Sequence, residues 1–183
     1  AEISAATNFP LLRLFKVDKK TNPERPESSV KGAWSLSAYD AAGEFSGVAT
    51  YFGRALCREL GVPVGLIHCA WGGTPAESWT SRDMLEQLPF MTNRLQDADA
   101  AFKSYTPEKA QADFDQKLAE WQKKTDAGEN AGRKPLLYNP YTSPYLSATL
   151  YNGMVAPVIP YALRGVIWYQ GEANAGRHAE YRE

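Results

Sequence analysis

Two short apolar runs, each closed by a glycine-containing polar turn, limit what this chain can fold into more than any other feature. The first is VPVGLIHCA over residues 62–70, followed by WGGTPAESW; the second is Gly165 to Tyr169, followed by QGEAN. Runs of this length bounded by turn signals read as strands buried on both faces of a parallel sheet. A helix signal precedes the first: from Ser46, apolar residues fall at Val48, Tyr51, Phe52, Ala55, Leu56 and Leu60, and Gly61 with Pro63 supplies the stop. Helix followed by buried strand predicts an α/β architecture. Ligands of open α/β sheets bind beyond the carboxyl ends of the strands, so the two turns would share a site if the two strands are near neighbours.

The flanking sequence is less regular. Residues 1 to 45 read as short extended pieces separated by turns, with an apolar run Leu11, Leu12, Leu14, Phe15, Val17 before a polar stretch containing Pro23 and Pro26. Thr74, Pro75 and Glu77 have the order of a helix start, with Thr as N-cap, Pro first and Glu three residues after the cap. Residues 81 to 127 read as helical and polar, with a thin apolar stripe of Phe114, Leu118 and Trp121. Gly128 to Pro144 reads as a long loop. The expected organisation is one domain over 1–183, with 81–144 a helical and loop insertion within it.

At 183 residues the chain is long enough for a proper core, and 20 Lys and Arg against 21 Asp and Glu give no field to attract a nucleic acid or an anionic membrane. No run of eighteen apolar residues exists to span a bilayer, and the opening AEISAATNFP lacks the parts of a signal peptide. Cys57 and Cys69 have neither metal-site spacing nor the number for a disulfide framework, and read as buried thiols. With five Trp and ten Tyr, rings for stacking on sugars are available, although aromatic cores use the same residues.

WGGT has no Lys-Ser/Thr after it, and the chain contains no GxGxxG, which argues against a nucleotide cradle. No cofactor or metal is expected. A glycine at a strand end also lets a backbone N–H approach a reacting carbonyl, so Gly72 and Gly73 are candidate oxyanion-hole donors, although turn geometry alone explains glycines equally well. Gln170, Glu172 and Asn174 place three polar side chains just beyond a buried strand, and Asn174 can donate an amide N–H to an oxyanion. Glu172 as a glycosidase acid would need a second carboxylate, and Asp83 and Glu77 read more simply as helix N-terminal residues. His68 lies inside an apolar strand and reads as core; His178 reads as surface. The serine of GEFSG, Ser46, is one place off a G-x-S-x-G elbow and is rejected as a nucleophile.

Taken together, HCAWGGTPAESW and YNGMVAPVIPYALRGVIWYQGEAN resemble segments of the sialate O-acetylesterases and related SGNH-type carbohydrate acetylesterases. FSGVATYFGRAL followed by VPVGLI is similar to the helix and strand that lead into WGGT there, so the likeness covers roughly residues 34 to 176. The resemblance implies a three-layer α/β/α hydrolase with a parallel sheet, incomplete in this chain, whose serine nucleophile sits in an upstream GQSN-type turn and whose Asp and His lie downstream. It implies oxyanion donors at Gly72 or Gly73 and at Asn174, with Trp71, Thr74, Gln170 and Glu172 lining the site for an acetylated carbohydrate. It also implies an exported protein. A chain without nucleophile and base would be nearly inactive alone. The alternative is a carbohydrate-binding protein that keeps the cleft without the triad.

Overall fold

A computed structural model describes residues 9–37 and 44–182. The expected extended pieces over 1–8 and 38–43 lie outside the described residues. The apolar run near the start forms β1 (Phe9–Lys16), which lies between β2 (Trp34–Ser37) and β3 (Val64–His68) in a sheet that has three strands among the described residues, in the order β2-β1-β3. β1 and β3 run parallel, with Leu12 opposite Val64 and Lys16 opposite His68, whereas β1 and β2 run antiparallel. The sheet is therefore mixed where an all-parallel one was expected. It is β1 and not β3 that occupies its centre; β3 is an edge of the described sheet, and Leu66 is its one buried residue.

Alternation along β1 divides the core between two faces. Leu12 and Leu14 join Leu66 and Cys57 on the face covered by helix α1 (Gly47–Leu60). Phe15 and Ile67 pack on the other face with Val17, Leu150, Met154 and Trp79. A third cluster joins Leu85, Met91, Leu95 and Ala148.

Helix α1 begins and ends where its sequence indicates. The Ser46 hydroxyl accepts from the Ala49 N–H at 3.3 Å, and Gly61 adopts the left-handed conformation (φ 65°) while its N–H donates to Cys57 O. The face it buries is different from the expected one. Thr50, Gly53 and Cys57 meet the sheet, and a β-carbon at Gly53 would lie 2.7 Å from Leu66 Cδ1 and 2.8 Å from Leu12 Cδ1. Small residues let the helix axis come close, and Val48, Tyr51, Phe52 and Leu60 are left exposed.

The polar stretch is helical as expected: α2 (Arg82–Leu85), α3 (Thr92–Ser104) and α4 (Pro107–Asp126), the last with no buried residue. Phe114, Leu118 and Trp121 are half-buried along α4. The second expected strand is absent. Gly165 to Tyr169 forms no ladder, and Val166 and Tyr169 are each 80% exposed, because no described strand offers its backbone groups partners.

Candidate active site

Parallel pairing brings the carboxyl ends of β1 and β3 side by side, and a cavity of about 550 Å³ opens there. Lys16, Asp18 and Lys19 line it from the end of β1, His68 and Gly72 from the end of β3, and Glu44 from the far side. Its charges balance. Lys16 lies 3.6 Å from Glu44, and Lys19 Nζ stands 5.1 Å from the centre of the Trp71 ring. A cavity with alternating charges and an adjacent indole suits a neutral, hydroxyl-rich ligand better than a polyanion.

The two glycines of WGGT differ in what holds them. Gly73 needs its left-handed backbone (φ 77°), which a side chain would strain. Gly72 has no such angle, and a β-carbon there would meet nothing within 4 Å. Neither packing nor backbone conformation requires glycine at 72; the residue faces the cavity, and its bare backbone leaves the N–H approachable.

The Thr74 hydroxyl does not cap a helix. It donates to Trp71 O at 2.6 Å and accepts from Trp79 Nε1 at 2.8 Å, closing the WGGT turn on itself, and the next element is a short 3-10 turn (Ala76–Trp79) without a side-chain cap. The indole competes for the oxygen that a capping box would have used.

Asn174 binds the second turn to the first. Its Oδ1 accepts from the Ala76 N–H at 2.9 Å and from Gln170 Nε2 at 2.6 Å, and its Nδ2 donates to Glu77 Oε2 at 3.0 Å. Gln170 also donates to Thr74 O at 3.3 Å. Gln170 and Asn174 thus tie the second loop to Thr74, Ala76 and Glu77, just after Trp71, Gly72 and Gly73, even though the second run is not a strand. Asn174 is only 7% exposed. It borders a smaller cavity of about 220 Å³ behind the turn, whereas Gly72 faces the larger one. Glu172 is exposed.

His68 was expected in the core, and the structure corrects this. It is the last residue of β3, half-buried at the cavity wall, with its ring edge-on to Phe45 at 5.0 Å and its Nδ1 sealed from solvent without a hydrogen-bond partner among the described residues. Burial, with a smaller contribution from the Lys16 charge, holds its pKa below the usual histidine value, so the ring is neutral at pH 7. His178 is exposed, as expected, and Ser46 is a helix cap. Cys57 and Cys69 are both free, and burial pushes the Cys69 thiol up to about 11. Sequence reasoning overlooked Lys16, Asp18 and Lys19; their one signal was their place at the end of the apolar run of β1. Glu77 lies in the first turn of the 3-10 element, as a helix N-terminal residue would, but its burial and its pairing with Arg177 at 2.6 Å were not foreseen.

The chain is similar along almost its whole length to sialate O-acetylesterases. It is 28% identical to that of Rattus norvegicus over 182 residues and 29% identical to that of Homo sapiens over 180 residues. These alignments take in 95% and 94% of this chain but 31% and 27% of the relatives, so the chain spans less than a third of their length. A crystal structure of a carbohydrate acetylesterase from Xanthomonas citri matches with a TM-score of 0.58 and 27% identity, over 95% of this chain and 28% of that one. No protein-family model matches. The resemblance read from WGGTPAESW and QGEAN is borne out by these likenesses.

Proposed function

We propose that this chain carries the transition-state-stabilising side of a serine esterase that removes O-acetyl groups from a carbohydrate. The observation that carries the reading is the junction itself. The WGGT turn and the QGEAN loop are bound to each other through Asn174 and Gln170, next to a cavity at the carboxyl ends of a parallel strand pair. Sialic acid is the favoured sugar because the matching relatives are sialate O-acetylesterases.

In this mechanism a serine oxygen attacks the acetyl carbonyl, and the carbonyl oxygen gains negative charge as the tetrahedral intermediate forms. The Gly72 N–H donates to that oxyanion; the second donor is one Asn174 amide proton, which requires the QGEAN loop to shift on substrate binding, since Asn174 borders the smaller cavity and Gly72 the larger. The sugar hydroxyl leaves with a proton from the catalytic base, and water then hydrolyses the acyl-enzyme to acetate. Nucleophile, base and its carboxylate partner lie outside residues 1–183, in the positions of a GQSN-type turn and a later Asp/His pair. The complete arrangement is a three-layer α/β/α sheet, a reading supported by the apolar packing on both faces of β1. Trp71 flanks the sugar, Gln170 holds the loop through Thr74 and Asn174, and the exposed Glu172 faces the substrate.

Gly72→Val tests the assignment. The backbone tolerates the change and no atom obstructs it, so the melting temperature is expected to stay within about 2 °C of the parent's, as for an unstrained surface substitution. Acetate release by the full-length polypeptide is expected to fall at least about tenfold, because the branched side chain intrudes on the oxyanion position. Unchanged hydrolysis would remove Gly72 from the site.

A further inference from the structure

We infer that Glu77 is a positioning residue whose carboxylate, held by Arg177, dictates which way the Asn174 amide points. The inference rests on the proposed role of Asn174 and extends it. Glu77 lies in a short turn and is nearly sealed from water, its side chain 9% exposed. Its two oxygens face two donors: Oε1 takes Arg177 Nη2 at 2.6 Å, and Oε2 takes Asn174 Nδ2 at 3.0 Å. Arg177 is held in turn, since its Nη1 donates to Glu180 at 3.2 Å, and Glu180 is gripped by both terminal nitrogens of Arg94 at 2.7 and 2.9 Å. Charge therefore alternates from Arg94 through Glu180 and Arg177 to Glu77, and the series ends on the asparagine.

A primary amide can turn over about its last bond and exchange oxygen for nitrogen at little steric cost. What prevents this is the chemistry at its two ends. An ionised carboxylate only accepts, so it requires the NH₂ side of Asn174; the Ala76 N–H only donates, so it requires the oxygen side. Glu77 takes one Nδ2 proton and leaves the other for a ligand. Glutamine at 77 has nearly the same shape but presents one acceptor and one donor, so it cannot satisfy both Arg177 and Asn174; with its oxygen on Arg177 its own NH₂ faces the Asn174 NH₂, a clash of donors that opposes the orientation the Ala76 N–H still favours. Leu85, Phe90 and Met91 line the pocket behind the turn together with Glu77, Asn174 and Arg177, so these bonds have apolar neighbours on that side.

The experiment uses the full-length polypeptide with Glu77→Gln, Arg177→Gln and Arg177→Lys, following acetyl-ester hydrolysis and the hydrogen exchange of the Asn174 side-chain amide by selective ¹⁵N labelling. Glu77→Gln is expected to lower kcat about a hundredfold with KM within about twofold, the pattern of a misdirected donor rather than of lost binding. The Asn174 amide protons are expected to exchange at least about tenfold faster, since they lose their buried acceptor. Arg177→Lys, which keeps the charge, is expected to retain more activity than Arg177→Gln, and this pair decides the matter if Glu77→Gln does not fold. Wild-type kcat and wild-type amide exchange in folded Glu77→Gln would overturn the inference, as would equal losses in the two Arg177 variants. If the wild-type protein releases no acetate, the proposed function fails, and the amide exchange still decides whether Glu77 orients Asn174.

Discussion

Gly153→Val is expected to destabilise the protein by about 3 kcal/mol, the upper range for overpacking a filled interior. A β-carbon at this position would overlap the carbonyl oxygen of Lys20 and lie 3.1 Å from Thr21 Cα, and backbone cannot rotate aside as a side-chain end can. The opposing segment is also held in place. Asn22 N–H donates to Thr149 O at 3.0 Å, Asn152 Nδ2 to Asn22 O at 3.0 Å, and Glu27 N–H to Asn152 O at 2.9 Å. Yielding at Gly153 would break these bonds and pull Leu150 and Met154, both fully buried, away from Val17. Denaturant unfolding followed by tryptophan fluorescence measures the effect; a loss below about 1 kcal/mol would mean that the two segments do not approach this closely.

Asn174→Leu is expected to cost both stability and activity. The leucine has a similar volume, but the Ala76 N–H, the Gln170 amide and Glu77 Oε2 each lose a partner, the first two part-buried and the last buried. Stranded buried polar groups cost about 1–3 kcal/mol each, and some relaxation at the exposed end of the loop reduces the sum, so a total loss of about 2–4 kcal/mol is expected. If Asn174 also donates to the oxyanion, acetyl-ester hydrolysis falls by about a hundredfold or more in the protein that remains folded. Thermal unfolding and kinetics on the same sample separate the two effects. Lost stability with intact kcat would make Asn174 a purely structural tie.

Local signals in the sequence were reliable where the physics is local. Ser46 and Gly61 mark the ends of α1 because capping needs only a hydroxyl and a left-handed residue. The polar composition of 81–127 pointed to helices with a thin apolar stripe, and α4 there half-buries only such a stripe, Phe114, Leu118 and Trp121 among it. The face that α1 buries was not legible: apolar spacing pointed to Val48, Tyr51 and Phe52, while close packing on Leu12 and Leu66 selected Gly53. A strand was expected at 165–169 from composition, yet a strand also needs a ladder partner, and composition does not supply one. At the site, the nearness of the two glycine-containing turns was legible, because turn chemistry at the end of an apolar run is a sequence property, and Gln170 and Asn174 do bond to the segment after WGG. The Glu77 to Arg177 pair spans 100 residues and follows no period, so only the fold brings it into view. His68 was misplaced because the strand stops at that residue and not two residues later.

The central claim, a carbohydrate O-acetylesterase whose stabilising half lies in these residues, is tested most directly by acetate release. An O-acetylated sialic acid and 4-nitrophenyl acetate would be offered in parallel to this 183-residue chain and to the full-length polypeptide carrying it. Hydrolysis by the longer protein alone is the predicted result; hydrolysis by the isolated chain, or by neither, would contradict it.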